Sequence, residues 1–130
     1  MRHKIQTTLS QQFIDITCTV ADEVKNSRVR DGIAVVYVPH TTAGVTINEN
    51  ADPDVVRDMI SALDKTYPEH GEYRHLEGNS HAHIKASLMG ASCNVIIREG
   101  KLLLGTWQGI YFCEFDGPRN REFLVKIIGD

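Results

Sequence analysis

The sequence predicts an α+β fold: one compact domain, residues 1–130, with a mixed or antiparallel sheet, two main helices and a short site helix. Three observations predict it. Two segments space their apolar residues at helical intervals. Several shorter segments alternate, or run apolar, as strands do. The two kinds of segment do not strictly take turns along the chain, which argues against a doubly wound parallel sheet. A length of 130 residues suits a single core, and 42% hydrophobic with 24% charged residues is ordinary for a globular protein.

Taken in order, Ile5, Thr7 and Leu9 alternate with polar neighbours and predict a half-buried opening strand. Phe13, Ile14 and Ile16 predict a second. From Thr17 the spacing turns helical, with Val20 and Val24 inside and Asp22, Glu23, Lys25 and Asn26 on the wet face. Asp31-Gly32 signals a turn. Ile33 to Val38 is an unbroken apolar run, expected as a central strand buried on both faces. Pro39 ends it, so His40, Thr41 and Thr42 sit where a strand opens into a loop.

Val45-Thr46-Ile47 resumes an extended pattern, and Asp52-Pro53 reads as an N-cap and first helical residue. Val55, Val56, Met59, Ile60 and Leu63 form the stripe of the second helix, with Arg57, Asp58, Ser61 and Asp64 facing away. Glu69 to Asn79 shows no period, and a loop of that length is a common place for function.

The run Ser80-His81-Ala82-His83-Ile84-Lys85-Ala86-Ser87 carries the densest chemistry. As a strand it would point both imidazoles one way. As a helix it sets them about 200° apart around the axis, and His81 shares a face with Lys85 instead. A short helix from Ser80 to Gly90 is favoured, with Asn79 or Ser80 as its cap and its free N–H groups offered to an anion.

Asn94–Arg98 and Lys101–Leu104 flank Glu99-Gly100 as a hairpin. Thr106 to Phe115 is apolar on both faces, so it is buried twice or meets a neighbouring subunit. Trp107 is expected in the core. Gln108, on a largely apolar face, needs a partner, and a ligand is one candidate. A turn over Asp116–Asn120 leads to a final strand, Phe123 to Ile128.

A net charge of −3 argues against general nucleic-acid binding, which needs a basic face. No run is long and apolar enough to cross a membrane. Met1-Arg2-His3-Lys4 leads into no signal-peptide core, and Cys18, Cys93 and Cys113 lack paired spacing, so they are expected as buried thiols in a reducing compartment. The expected location is the cytoplasm. The Walker, dinucleotide and nucleophile-elbow motifs are all absent.

His40, His81 and His83 are the candidate metal ligands: three imidazoles from two segments could hold a first-row ion and leave positions open. A satisfied polar cluster, or acid–base work without metal, would use the same residues. Glu49 is the best carboxylate for a general base or a further ligand, and His40, His81 and Lys85 complete the candidate catalytic set. Thr41, Thr42, Asn48, Asn79, Ser87, Gln108 and Arg119 are the candidate substrate contacts. His75 is held in reserve.

Ser92-x-x-Val95-x-Ile97-x-x-Gly100-x-x-x-x-Gly105-Thr106-Trp107-Gln108-x-Ile110 resembles the signature of the YjbQ family. His40-Thr41-Thr42-Ala43-Gly44, Asn48 to Asp54 and His81 to Ser87 resemble its other motifs, in the same order. The resemblance implies a compact α+β homotrimer with its polar cluster near a subunit boundary. It also implies a weak secondary thiamine-phosphate synthase activity on small phosphorylated metabolites, with His40, His81 and His83 as site histidines and Glu49 and Lys85 beside them. Expelling pyrophosphate usually recruits Mg²⁺, which prefers oxygen ligands, whereas a histidine cluster prefers Zn²⁺ or a similar transition metal. The alternative is a non-catalytic trimer that binds a metal or a phosphometabolite.

Overall fold

The computed structural model describes residues 1–130 as three helices and eight short strands. The strands form two sheets, and every pairing is antiparallel. Strands β1 (Arg2–Gln6), β8 (Asn120–Gly129), β3 (Gly32–Tyr37), β5 (Ser92–Arg98) and β6 (Lys101–Leu102) make the larger sheet in that order. Strands β2 (Gln12–Asp15), β7 (Gln108–Glu114) and β4 (Ala43–Glu49) make the smaller.

The main core lies between the sheets. Ala34, Val36, Val95, Ile97, Phe123 and Val125 of the larger sheet meet Ala43, Val45, Ile110 and Phe112 of the smaller. Helix α1 (Thr17–Ser27) adds Val20 and Val24, the two residues its spacing singles out. On the other side of the smaller sheet, Tyr111, Cys113 and Phe115 pack with Ala82 and Ala86 of α3 (Ser80–Met89) and with Val56 and Leu63 of α2 (Pro53–Thr66). Strand β7 is thus buried on both faces, one of the two outcomes its sequence allows.

Helix α2 starts as its sequence predicts: Asp52 is the N-cap, its carboxylate accepts the Asp54 N–H at 2.9 Å, and Pro53 opens the first turn. Its apolar stripe is only half-buried. Helix α3 presses closely on β4. A Cβ on Gly44 would lie 2.7 Å from the Gly90 carbonyl oxygen, so only glycine permits that approach. The hairpin turn also forms, with Glu99 at φ 52° and Gly100 at φ 79°.

Four expectations need correction. Strand β3 alternates rather than being buried twice: Ile33 and Tyr37 are 42% and 46% exposed, because no layer of the same chain covers the outer face of the larger sheet. The opening strand stops at Gln6; Thr7 is buried by side-chain bonding, and Leu9 is exposed in the following turn. Trp107 lies before β7 rather than in it and is exposed. Of the thiols, only Cys113 is fully buried, Cys93 is half-buried and Cys18 is exposed.

Candidate functional site

Where β3 ends at Tyr37, paired with Leu124, the next part of β8 loses its strand neighbour on that side. His40 takes the place. Its Nε2 lies 3.0 Å from the Glu122 N–H nitrogen and 3.1 Å from the Glu122 carbonyl oxygen, so the ring accepts from one or donates to the other according to its tautomer. Burial, and next the nearby Arg121 guanidinium, hold the His40 pKa below the usual histidine value. The imidazole is therefore neutral at pH 7.

Behind it lies a buried polar network. Arg121 donates through Nε to Glu114 Oε1 at 2.9 Å and through its terminal nitrogen to Thr42 Oγ1 at 2.8 Å. Thr7 donates to Glu114 Oε1 at 2.7 Å, and the Phe115 and Asp116 N–H groups reach Oε2 at 3.1 Å. Burial alone would raise the Glu114 pKa; the bonds from Arg121, Thr7 and the backbone outweigh it and hold the carboxyl below its usual range. The network fixes Thr42 and the stem of the loop that carries His40.

His83 projects from α3 towards that loop. It lines one cleft of about 320 Å³ with His40, Thr41, Ala43, Ala86, Ser87 and Ala91. The Ser87 hydroxyl donates to the His83 carbonyl at 3.0 Å. The structure therefore brings His40, Thr41, His83 and Ser87 together, with Thr42 immediately behind.

The other candidates lie elsewhere in the single chain. His81 and His83 leave α3 on different sides, as two helical positions must. His81 is buried against Lys85, whose Nζ stands 3.0 Å from its Nδ1. Lys85 is wholly buried and also donates to Asp64 Oδ1 at 2.5 Å and Gln11 Oε1 at 3.2 Å, which uses all three of its protons. Burial, and next the Lys85 charge, push the His81 pKa down.

Asn79 caps α3 through its carbonyl, which accepts from Ala82 and His83. Its side chain donates to Glu77 and Asp116 at 2.7 and 2.8 Å, and Arg119 pairs with the same Asp116 at 3.0 Å. Asn48, Glu49 and Gln108 occupy the far end of β4 and its partner β7, where Glu49 pairs with Gln108. The six residue steps from Ala43 to Glu49 put that end ~20 Å from the His40 end. Gln108 finds its partner in the Gly105 N–H at 2.8 Å.

No three His, Cys, Asp or Glu side chains of one chain are placed to hold a metal ion. His40, His81 and His83 thus do not fit as one ligand set within a chain. Arg121, Glu114, Asp64 and Gln11 escaped the sequence reading. The available signal was Glu114, a carboxylate in register with Ile110 and Phe112 on an inward strand face.

The chain resembles known proteins along its whole length. The family model described as UPF0047 protein YjbQ-like matches residues 1–130. The UPF0047 protein MJ1081 of Methanocaldococcus jannaschii is 58% identical over 129 residues, covering 99% of this chain and 94% of that protein. The UPF0047 protein YugU of Bacillus subtilis is 54% identical over 127 residues, covering 97% and 96%. Among solved structures, a conserved protein of the YjbQ/UPF0047 family from Clostridium acetobutylicum superposes with a TM-score of 0.98 at 63% identity, covering 98% of this chain and 99% of that one. A YbjQ-like protein of unknown function from Sulfolobus solfataricus gives 0.96 at 32% identity, covering 100% and 96%. The chain belongs to the YjbQ-like UPF0047 family.

Proposed function

We propose that this member of the YjbQ-like family is a small cytoplasmic enzyme whose cleft between His40 and His83 takes the phosphate end of a metabolite, with a weak thiamine-phosphate synthase-type activity. The observation that carries the reading is the convergence of the two imidazoles on one cleft with Thr41 and Ser87. Its volume, about 320 Å³, lies at the small end of ligand pockets and suits a phosphate or diphosphate group.

In the proposed reaction, the bond between the pyrimidinyl methylene carbon and the diphosphate oxygen breaks, and its electron pair leaves with pyrophosphate. The thiazole ring nitrogen of the second substrate then bonds to that carbon. His40, kept neutral, can donate one hydrogen bond to the departing oxygen, and Thr41 and His83 can hold the others. A divalent ion would supply further positive charge at the departing diphosphate.

The Glu49 end of β4 is too far away to serve the same cleft in one chain. We propose that a homotrimer brings such ends together. The support is the uncovered face of the larger sheet, where Ile33 faces Ile96 on one side and Ile128 on the other, with Tyr37 beside them. The competing reading, a binding protein without turnover, draws on the engagement of His81 by Lys85 and of Lys85 by Asp64 and Gln11 as well.

The test is formation of thiamine phosphate from the pyrimidinylmethyl diphosphate and thiazole phosphate, by the folded wild type and by His83→Ala. Turnover that falls at least tenfold in the variant supports the enzyme. Binding of the diphosphate without any turnover would replace the enzyme with a binding protein.

A further inference from the structure

Five of the six histidines can be compared by what their ring nitrogens face. His3 Nε2 lies 3.1 Å from the Glu23 carboxylate without an aligned hydrogen bond, His40 is tied to the Glu122 backbone and His81 to Lys85. The imidazole rings of His75 and His83 make no hydrogen bond within the chain, yet they stand together, with centroids 5.5 Å apart and planes at 75°. His75 comes from the loop between α2 and α3, which is pinned rather than loose. The Gly78 N–H donates to the His75 carbonyl at 3.1 Å, with Gly78 at φ 82°, and the Tyr73 hydroxyl donates to the Pro68 carbonyl at 2.8 Å.

The two rings share the wall of a second cleft, about 560 Å³, with Glu72, Tyr73, Arg74, Ser80 and Ile84. His83 also lines the cleft that contains His40, so it stands between the two spaces.

The edge-to-face spacing of the two rings is compatible with two ligands on one ion. Metal–nitrogen bonds of ~2 Å put each ring centre ~3 Å from the metal, so two imidazoles on a tetrahedral ion have centres ~5 Å apart. Glu77 lies 4.0 Å from His75 Nε2, beyond hydrogen-bond distance, so both nitrogens of that ring are left open. We infer that His75 and His83 bind a transition-metal cation of the zinc class, with the remaining coordination positions left to water and to a ligand in the adjoining clefts. This rests on the reading of the His83 cleft as the substrate site. It replaces the His40, His81 and His83 ligand set by a pair that fits, and His81 is left to Lys85.

The test is titration of metal-free protein with Co²⁺ alone, followed by its visible absorption, and competition by Zn²⁺. The wild type, His75→Ala, His83→Ala, His81→Ala and His70→Ala are compared, each shown to be folded by its thermal transition. The expected result is one ion per chain, bound at least tenfold more weakly in His75→Ala and in His83→Ala and unchanged in His70→Ala and His81→Ala. Unchanged binding in His75→Ala, or no binding by the wild type at micromolar metal, would overturn the inference. Diphosphate binding measured in chelator separates this from the substrate reading, since either result can fail while the other holds.

Discussion

Lys85 Nζ stands 3.0 Å from His81 Nδ1, one helical turn earlier on α3. The ammonium has no proton to give, because Asp64 and Gln11 take the other two. The pair therefore ties α3 to α2 and to the turn just before β2. Lys85→Ala is expected to lose about 2 kcal/mol of stability, less than the ~3–5 kcal/mol of a fully buried ion pair because the half-exposed Asp64 can rehydrate once its partner is gone. Urea denaturation checks it; a loss below about 0.5 kcal/mol would mean the contact holds nothing together.

The titrating groups set a pH dependence. His40 and His81 both have folded pKa values below the ordinary 6.5, from burial first and then from Arg121 and Lys85 respectively. The unfolded chain therefore binds protons before the folded one does. Their contribution to stability is complete above pH 6.5 and is lost as pH falls through the lower folded values. Asp64 and Glu114, also depressed in the folded state, extend the loss below the ordinary carboxylate range. Denaturation midpoints at pH 7.5 and 5.5 should show the acid sample to be less stable; equal midpoints would contradict the histidine assignments.

Glu114→Gln tests the buried network behind His40. Arg121 would keep its charge but lose its counter-ion, with an expected cost of about 3–5 kcal/mol. A double-mutant cycle with Arg121→Met should recover part of that loss, because the orphaned charge is removed along with its partner. Strictly additive losses would show that the two residues act independently.

The fold was largely legible because its signals are local. The Asp52-Pro53 start of α2, the Val20 and Val24 face of α1 and the Glu99-Gly100 hairpin each depend on a few neighbouring residues. The site was legible only in part. Helical geometry alone foretold that His81 would meet Lys85 and turn from His83. The partners were not foretold, because Asp64, Gln11 and Glu122 reach these residues from distant parts of the chain. Asp64 looked like a wet-face residue of α2, and no local pattern shows that a buried ammonium lies across from it. The twice-buried reading of β3 failed for a related reason: an unbroken apolar run carries no period of two, so it does not tell which of the strand's faces the rest of the chain covers.

That uncovered face yields a prediction about assembly. Ile33→Lys puts a charge in the middle of the Ile96–Ile33–Ile128 row. Light scattering after size exclusion should show a trimer for the wild type and a smaller species for the variant. A wild type that runs as a monomer would remove the proposed homotrimer.

The phosphate cleft is tested most directly by calorimetric titration of the pyrimidinylmethyl diphosphate into wild type and His83→Ala, both in chelator so that no metal contributes. The proposal predicts saturable binding by the wild type, weakened at least tenfold in the variant, a difference of about 1.4 kcal/mol or more. Equal affinities in the two folded proteins, or no binding to the wild type, would contradict a substrate site between His40 and His83.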